Sequence, residues 1–208
     1  MYPTKMEANG RIYPINTDYK VALACFKALE DTEINDIERF YAIETLLLGD
    51  NVLEEDEAIL KPKIELYLRH GEAENTNSQE VDMDYLQDEV VSRVSIRQCY
   101  HISLNEIPYI HWYEYNELLS GLTNESILNR IRELRSYDVS KIEDAKEKRK
   151  IVEAKKQVAL KRNYKKKQPT KEQKESAMAF YKALNLGKEW LYGRWCRWKS
   201  LYWSRIRY

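Results

Sequence analysis

"PYIHWYEYNELLSGL", residues 108–122, sets one histidine, one tryptophan and three tyrosines in a run that ends near a glycine. Two readings compete for it. It is either the lip of an active site with His111 poised for proton transfer, or a helix that buries an aromatic face. Trp112, Tyr115, Leu119 and Leu122 recur at i, i+3, i+7 and i+10, and His111, Tyr115, Leu118 and Leu122 follow the neighbouring row. The two rows make one broad helical face, with Glu114 and Glu117 off it. Trp and Tyr each bring a large apolar area and one polar handle that needs a partner. The spacing therefore predicts a core or partner-contact helix carried by His111, Trp112, Tyr115, Leu119 and Leu122. It is entered through Ser103 or Pro108 and stopped by Gly121.

Helical signals continue on both sides. Upstream, "GRIYPIN" (10–16) predicts a short N-terminal β-arm, an edge strand or one arm of a hairpin. Asn16 or Thr17 then caps a helix with Tyr19, Ala22, Leu23, Phe26 and Leu29 on one face. Asn35 followed by Glu38 reads as a capping box, opening a second helix with Ile37, Phe40, Tyr41, Leu47 and Leu48 that Gly49 stops. A third helix is expected over 54–69, bent or interrupted near Pro62, which lacks the amide a helix interior needs. A polar loop (71–80) leads to a fourth over about 82–100, with Tyr85, Leu86, Val90, Val94 and Ile96 apolar.

Downstream, Asn124 is expected to start a sixth helix containing Ile127, Leu128, Ile131 and Leu134. "SKIE" (140–143) reads as a second capping box. Beyond it the composition changes. Residues 144–174 predict a long basic helix with a thin apolar stripe at Ile151, Ala154 and Val158, and residues 145–174 hold 13 Lys/Arg against 3 Asp/Glu. Gln168–Pro169–Thr170 breaks it, and another helix runs on to Gly187. The end, "EWLYGRWCRWKSLYWSRIRY" (189–208), contains four Trp, three Tyr and four Arg. Trp190, Trp195, Trp198 and Trp203 are too large and irregularly spaced to sit comfortably in water, which predicts a docking surface. The expected architecture is all-α: a compact multi-helix domain over 10–138, a basic helical arm over 139–187 and a Trp/Arg-rich tail over 188–208.

The net charge of zero conceals a division. Residues 1–92 hold 8 Lys/Arg against 21 Asp/Glu, and residues 93–208 hold 26 against 13. That asymmetry permits head-to-tail attraction between copies. Lys155, Lys156, Arg162 and Lys165 of the basic arm are candidate partner contacts, with phosphate binding as the other use of such a segment. The arm lacks interleaved aromatics before Tyr164 and any recognised nucleic-acid fold motif.

Chemistry-bearing patterns are sparse. His70, His101 and His111 share no HxxxH or HExxH spacing, so no metal or other cofactor is expected. His70, just before Gly71, is placed to complement a helix C-terminal dipole as a cation. The three cysteines, Cys25, Cys99 and Cys196, form no CxxC pair and read as reduced thiols, two of them buried on helix faces. No GxSxG, GxxxxGK[ST] or GxGxxG is present, which argues against an enzyme. No stretch reaches the roughly 20 apolar residues of a membrane span, and the opening residues lack a signal peptide's apolar run. A cytoplasmic protein is expected.

"RIYPINTDYKVALACFKALED" and the segment from "QDEVVSRVSIRQCYHISLNE" through "IPYIHWYEYNELLSGL" resemble a family of small helical proteins from the tail gene modules of siphoviruses and related prophages. The resemblance rests on Ile15–Asn16–Thr17–Asp18–Tyr19 leading into the first helix, on Ile110–His111–Trp112–Tyr113–Glu114–Tyr115, and on Leu118–Leu119–Ser120–Gly121–Leu122. It covers about residues 11–188. Tyr113 stands where the family usually has a second Trp, and the end after about 188 matches nothing in the pattern. The resemblance implies a tail assembly chaperone that binds the tape-measure protein, helps recruit major tail protein subunits, works in the host cytoplasm and is absent from the mature virion. A structural virion protein and a nucleic-acid-binding phage protein are the alternatives. Some such chaperones have a longer frameshifted form, and the composition after Gly187 fits such an extension.

Overall fold

Asn9 and Gly10 both adopt positive φ, 49° and 77°, the pair of left-handed residues a two-residue type I′ hairpin turn requires. They join β1 (Lys5–Ala8) to β2 (Arg11–Pro14) as an antiparallel ribbon with Met6 opposite Tyr13. Met6, Ala8 and Tyr13 point inward while Lys5, Glu7 and Arg11 point to solvent, the two-residue period of a half-buried sheet. The β-arm is thus a complete hairpin, and its first strand lies ahead of the expected boundary at residue 10. The computed structural model describes residues 1–71 and 81–161, all within one compact unit, Met1–Arg162.

Seven α-helices follow among the described residues: α1 (Tyr19–Glu30), α2 (Asp36–Leu48), α3 (Glu54–Leu68), α4 (Glu89–Tyr100), α5 (Trp112–Ser120), α6 (Ile127–Ser136) and α7 (Ala145–Val158). A short 3-10 turn, Val139–Lys141, precedes the last. The protein is mostly helical. Asn35 and Glu38 form the expected reciprocal capping box of α2, and Gly49 ends it at φ 83°. α3 runs unbroken through Pro62, which lies on its exposed side.

Several boundaries differ from expectation for local reasons. Asp18, rather than Asn16 or Thr17, caps α1, its carboxylate accepting from the Lys20 amide at 2.9 Å. The Asn16 amide is engaged by Leu47 O instead, at 2.7 Å. α4 begins at Glu89 because Asp84 closes a turn ahead of it, accepting from the Leu86 and Gln87 amides at 2.8 Å each. Ser126, rather than Asn124, caps α6 through the Asn129 amide. "SKIE" forms no capping box: the Ser140 hydroxyl donates to Asp138 at 2.7 Å, and Asp144 caps α7.

Three expected core positions are exposed: Leu29, Val90 and Ile127. α4 shows why. Its buried residues are Ser92, Ser95 and Ile96, so small hydroxyl residues take two of its three buried positions. Ser95 Oγ accepts from the Leu128 amide at 3.0 Å, which lets α6 approach closely. A reading that counts serine as a surface residue rotates this helix the wrong way, and Val90 ends up 61% exposed.

α1 packs on α2 and α5, α4 on α5 and α6, and α3 on α2 and β1. α7 packs on α6 across the expected 138/139 division. Arg135 Nε donates to Val158 O at 2.6 Å, Gln87 Nε2 to Ala159 O at 3.0 Å, and Lys155 Nζ to Tyr137 O at 2.6 Å. The basic segment up to residue 161 therefore lies against the body. Residues from 162 onward, including Arg162, Lys165, Trp190, Trp195, Trp198 and Trp203, lie outside the described residues, as does the expected division at 187/188.

Candidate functional site

The two stretches that carry the family resemblance meet in space. Thr17–Asp18–Tyr19 and Ile110–His111–Trp112 run antiparallel as an isolated bridge between Asp18 and His111. Tyr19 N–H donates to Ile110 O at 3.0 Å and Trp112 N–H to Thr17 O at 2.7 Å. The Thr17 and Tyr109 hydroxyls lie 2.6 Å apart, and the Tyr19 and Tyr115 rings stack at 4.6 Å. The bridge sets the starts of α1 and α5 side by side and aims both at one aromatic cluster.

Trp112 is the centre of that cluster and has no exposed surface. Its ring lies 4.7 Å from His70, 5.2 Å from Tyr85, 5.8 Å from Phe26 and 5.9 Å from Tyr115. Its indole N–H donates to Leu68 O at 3.3 Å, engaging a carbonyl that the end of α3 leaves without a helical partner. Tyr115, Leu119 and Leu122 are also buried. The aromatic face of α5 closes the protein's own core.

His111 does not lie within the helix. It is the N-cap of α5, its Nδ1 accepting from the Tyr113 amide at 3.0 Å, while Nε2 lies 3.1 Å from Pro3 O. With Nδ1 accepting from a backbone amide, Nε2 is the ring nitrogen that faces a carbonyl acceptor. Both ring nitrogens are thus occupied by backbone groups. Tyr2 stacks on the ring at 4.7 Å and donates to Glu117 at 2.5 Å, which lifts its hydroxyl to a pKa of about 12. The N-terminal residues are strapped over the start of α5. His111→Ala is expected to cost about 1 kcal/mol, as N-cap losses do, and His111→Asn to restore most of it. Urea unfolding curves of the two variants are the check.

His70 departs from its expected cationic role. It takes φ 58° at the end of α3, where Gly71 N–H donates back to Leu66 O at 2.8 Å. Burial lowers its pKa to about 4, and Nε2 has no hydrogen-bond partner among the described residues. A neutral ring against Trp112 adds aromatic packing and no charge.

A second buried polar node fixes the hairpin. Asp56, fully buried on α3, accepts from Asn9 Nδ2 at 2.6 Å, Arg11 Nη1 at 3.0 Å and the Tyr13 hydroxyl at 2.5 Å. The Tyr13 hydrogen bond holds its carboxyl below the usual range against the opposing effect of burial, with Arg11 and Asn9 adding to it. A depressed carboxylate stabilises the fold above its unfolded pKa of about 4, and that stability disappears as pH falls through the folded value. The Tm advantage over Asp56→Asn is therefore expected to be complete at neutral pH and to shrink below about pH 4. The hairpin was legible in principle, since Asn9–Gly10 is a strong hairpin signal, whereas its meeting with Asp56 is decided only in the fold.

Cys25 is buried and Cys99 half-buried, both free, and burial pushes the Cys25 thiol well above its ordinary range. No group of three or more metal-ligating side chains occurs among the described residues, and no helix there is long and apolar enough to cross a membrane.

Fold and junction together define a mostly helical protein whose most distinctive residues hold its own body together. The family described as bacteriophage Gp15 protein matches residues 2–160, and the chain belongs to it. The match takes in the hairpin and α7, starting earlier and ending earlier than the resemblance over 11–188. Comparison with curated proteins finds no match, and comparison with solved structures finds none.

Proposed function

We propose that this Gp15-family protein is a non-enzymatic tail assembly chaperone that binds the tape-measure protein and assists addition of major tail protein subunits. Membership of a bacteriophage family supports a structural or assembly role. The observation that carries the reading to an apolar helical partner is a row on the outer side of α3. Ile59, Pro62 and Leu66 are exposed at i, i+3 and i+7, the spacing with which one amphipathic helix meets another. The α5 aromatics are engaged in the core, so this row is the contact face in their place. On this reading the protein acts in the host cytoplasm and leaves before the virion is complete.

Co-expression with the tape-measure gene tests it. The wild type is expected to keep the tape-measure protein soluble and to copurify with it. Ile59→Asp with Leu66→Asp should abolish copurification while leaving the circular dichroism spectrum unchanged. A tape-measure protein that is equally soluble with and without this chain would reject the role. Recovery of the chain from purified virions by mass spectrometry would favour a structural tail protein.

A further inference from the structure

Among the described residues, the outer face of α7 is a second surface with nothing packed on it. α7 has no buried residue, and its half-buried side chains, Ile151, Val152 and Val158 among them, lie along one stripe. The opposite side presents Lys146, Arg149, Lys150 and Lys156 to solvent. Residues 145–161 hold 7 Lys/Arg against 2 Asp/Glu.

A surface of opposite sign lies at the other end of the fold. Residues 30–57 hold 11 Asp/Glu against a single Lys/Arg. Glu33, Asp36, Glu54 and Glu55 are exposed there, and so are Leu29, Leu53 and Ile59. From hairpin to α7 the packing follows one path: β1 on α3, α3 on α2, α2 on α1, α1 on α5, α5 on α4, α4 on α6, and α6 on α7. The acidic surface sits at the α1–α2–α3 end of this path and the basic helix at its far end. Their attraction is then best satisfied between molecules.

We infer that the basic face of α7 docks on the acidic α1–α2–α3 end of a second copy of this chain, head to tail. Three observations favour a second copy over another polyanion. The two surfaces are complementary in sign, the chain as a whole is neutral at pH 7, and the acidic end carries exposed leucine and isoleucine side chains that phosphates would not cover. A contact between two different surfaces is heterologous, so it repeats from copy to copy and builds a ring or a filament. The inference does not depend on which protein the chaperone role serves.

Sedimentation velocity of the full-length, nuclease-treated chain tests it. At about 50 mM NaCl the weight-average mass is expected to be at least about twofold higher than at about 500 mM, where salt screens such charges within a few ångströms. Lys146→Glu/Arg149→Glu/Lys150→Glu should give monomers at low salt, and so should Glu33→Lys/Glu54→Lys. Mixing the two variants should restore association, because each retains the surface the other has lost. A monomer at low salt overturns the inference. So does association that ignores salt or the reversals, which would place the contact elsewhere, as would loss of association on nuclease treatment.

Discussion

Trp112→Ala is expected to destabilise the protein by about 3–5 kcal/mol, the range for removing a large buried aromatic. Two effects add. The cavity opens where His70, Tyr85, Phe26 and Tyr115 converge on one ring, and those neighbours belong to four separate segments that cannot all collapse inward. Leu68 O also loses its indole donor. Trp112→Phe should recover most of the packing but not the hydrogen bond, leaving a cost of about 1–2 kcal/mol. Chemical denaturation followed by far-ultraviolet circular dichroism measures both. A cost below about 0.5 kcal/mol for the alanine variant, typical of a surface site, would contradict the burial.

Arg135→Met is expected to cost a comparable amount, about 3–5 kcal/mol, through a different mechanism. Arg135 and Asp88 form a buried two-pronged pair, Nη1 to Oδ2 at 2.6 Å and Nη2 to Oδ1 at 2.8 Å. The same guanidinium donates to Asp82 O and Val158 O, so a single side chain joins the turn before α4, the end of α6 and the end of α7. Its removal strands a carboxylate away from water. The double variant Asp88→Leu/Arg135→Met should therefore be less destabilised than the sum of the two single changes. It should not return to wild-type stability, because the Asp84 amide also donates to Asp88, at 3.0 Å. Full additivity in a double-mutant cycle would show that the pair is not coupled.

Arg135 was invisible as a special residue in the sequence. It is one of several arginines on an amphipathic segment, and its partner lies 47 positions earlier, within the expected fourth helix. The charge division itself was plain from composition, and so was the Asn35–Glu38 capping box, because both depend only on residues close in the chain. The same holds for the apolar row Trp112, Tyr115, Leu119 and Leu122, all of which are buried. His111 was misplaced by one helical boundary. A histidine serving as an N-cap leaves the same apolar row intact, and only the backbone hydrogen bond from Tyr113 distinguishes the cap from the first turn.

By itself the sequence determined that the protein is mostly helical, where most of its helices lie, and which side of α5 is apolar. These follow from local hydrogen bonding and from the 3.6-residue period, which neighbours along the chain express without outside help. Tertiary structure alone decided what that apolar side faces. It bridged Thr17–Asp18–Tyr19 to Ile110–His111–Trp112, rotated α4 so that two serines rather than Val90 lie inward, and laid α7 against α6. Each of these depends on pairing between residues far apart in sequence. The energy that selects such pairings comes from excluding water and satisfying buried polar groups together, and no single segment carries that information.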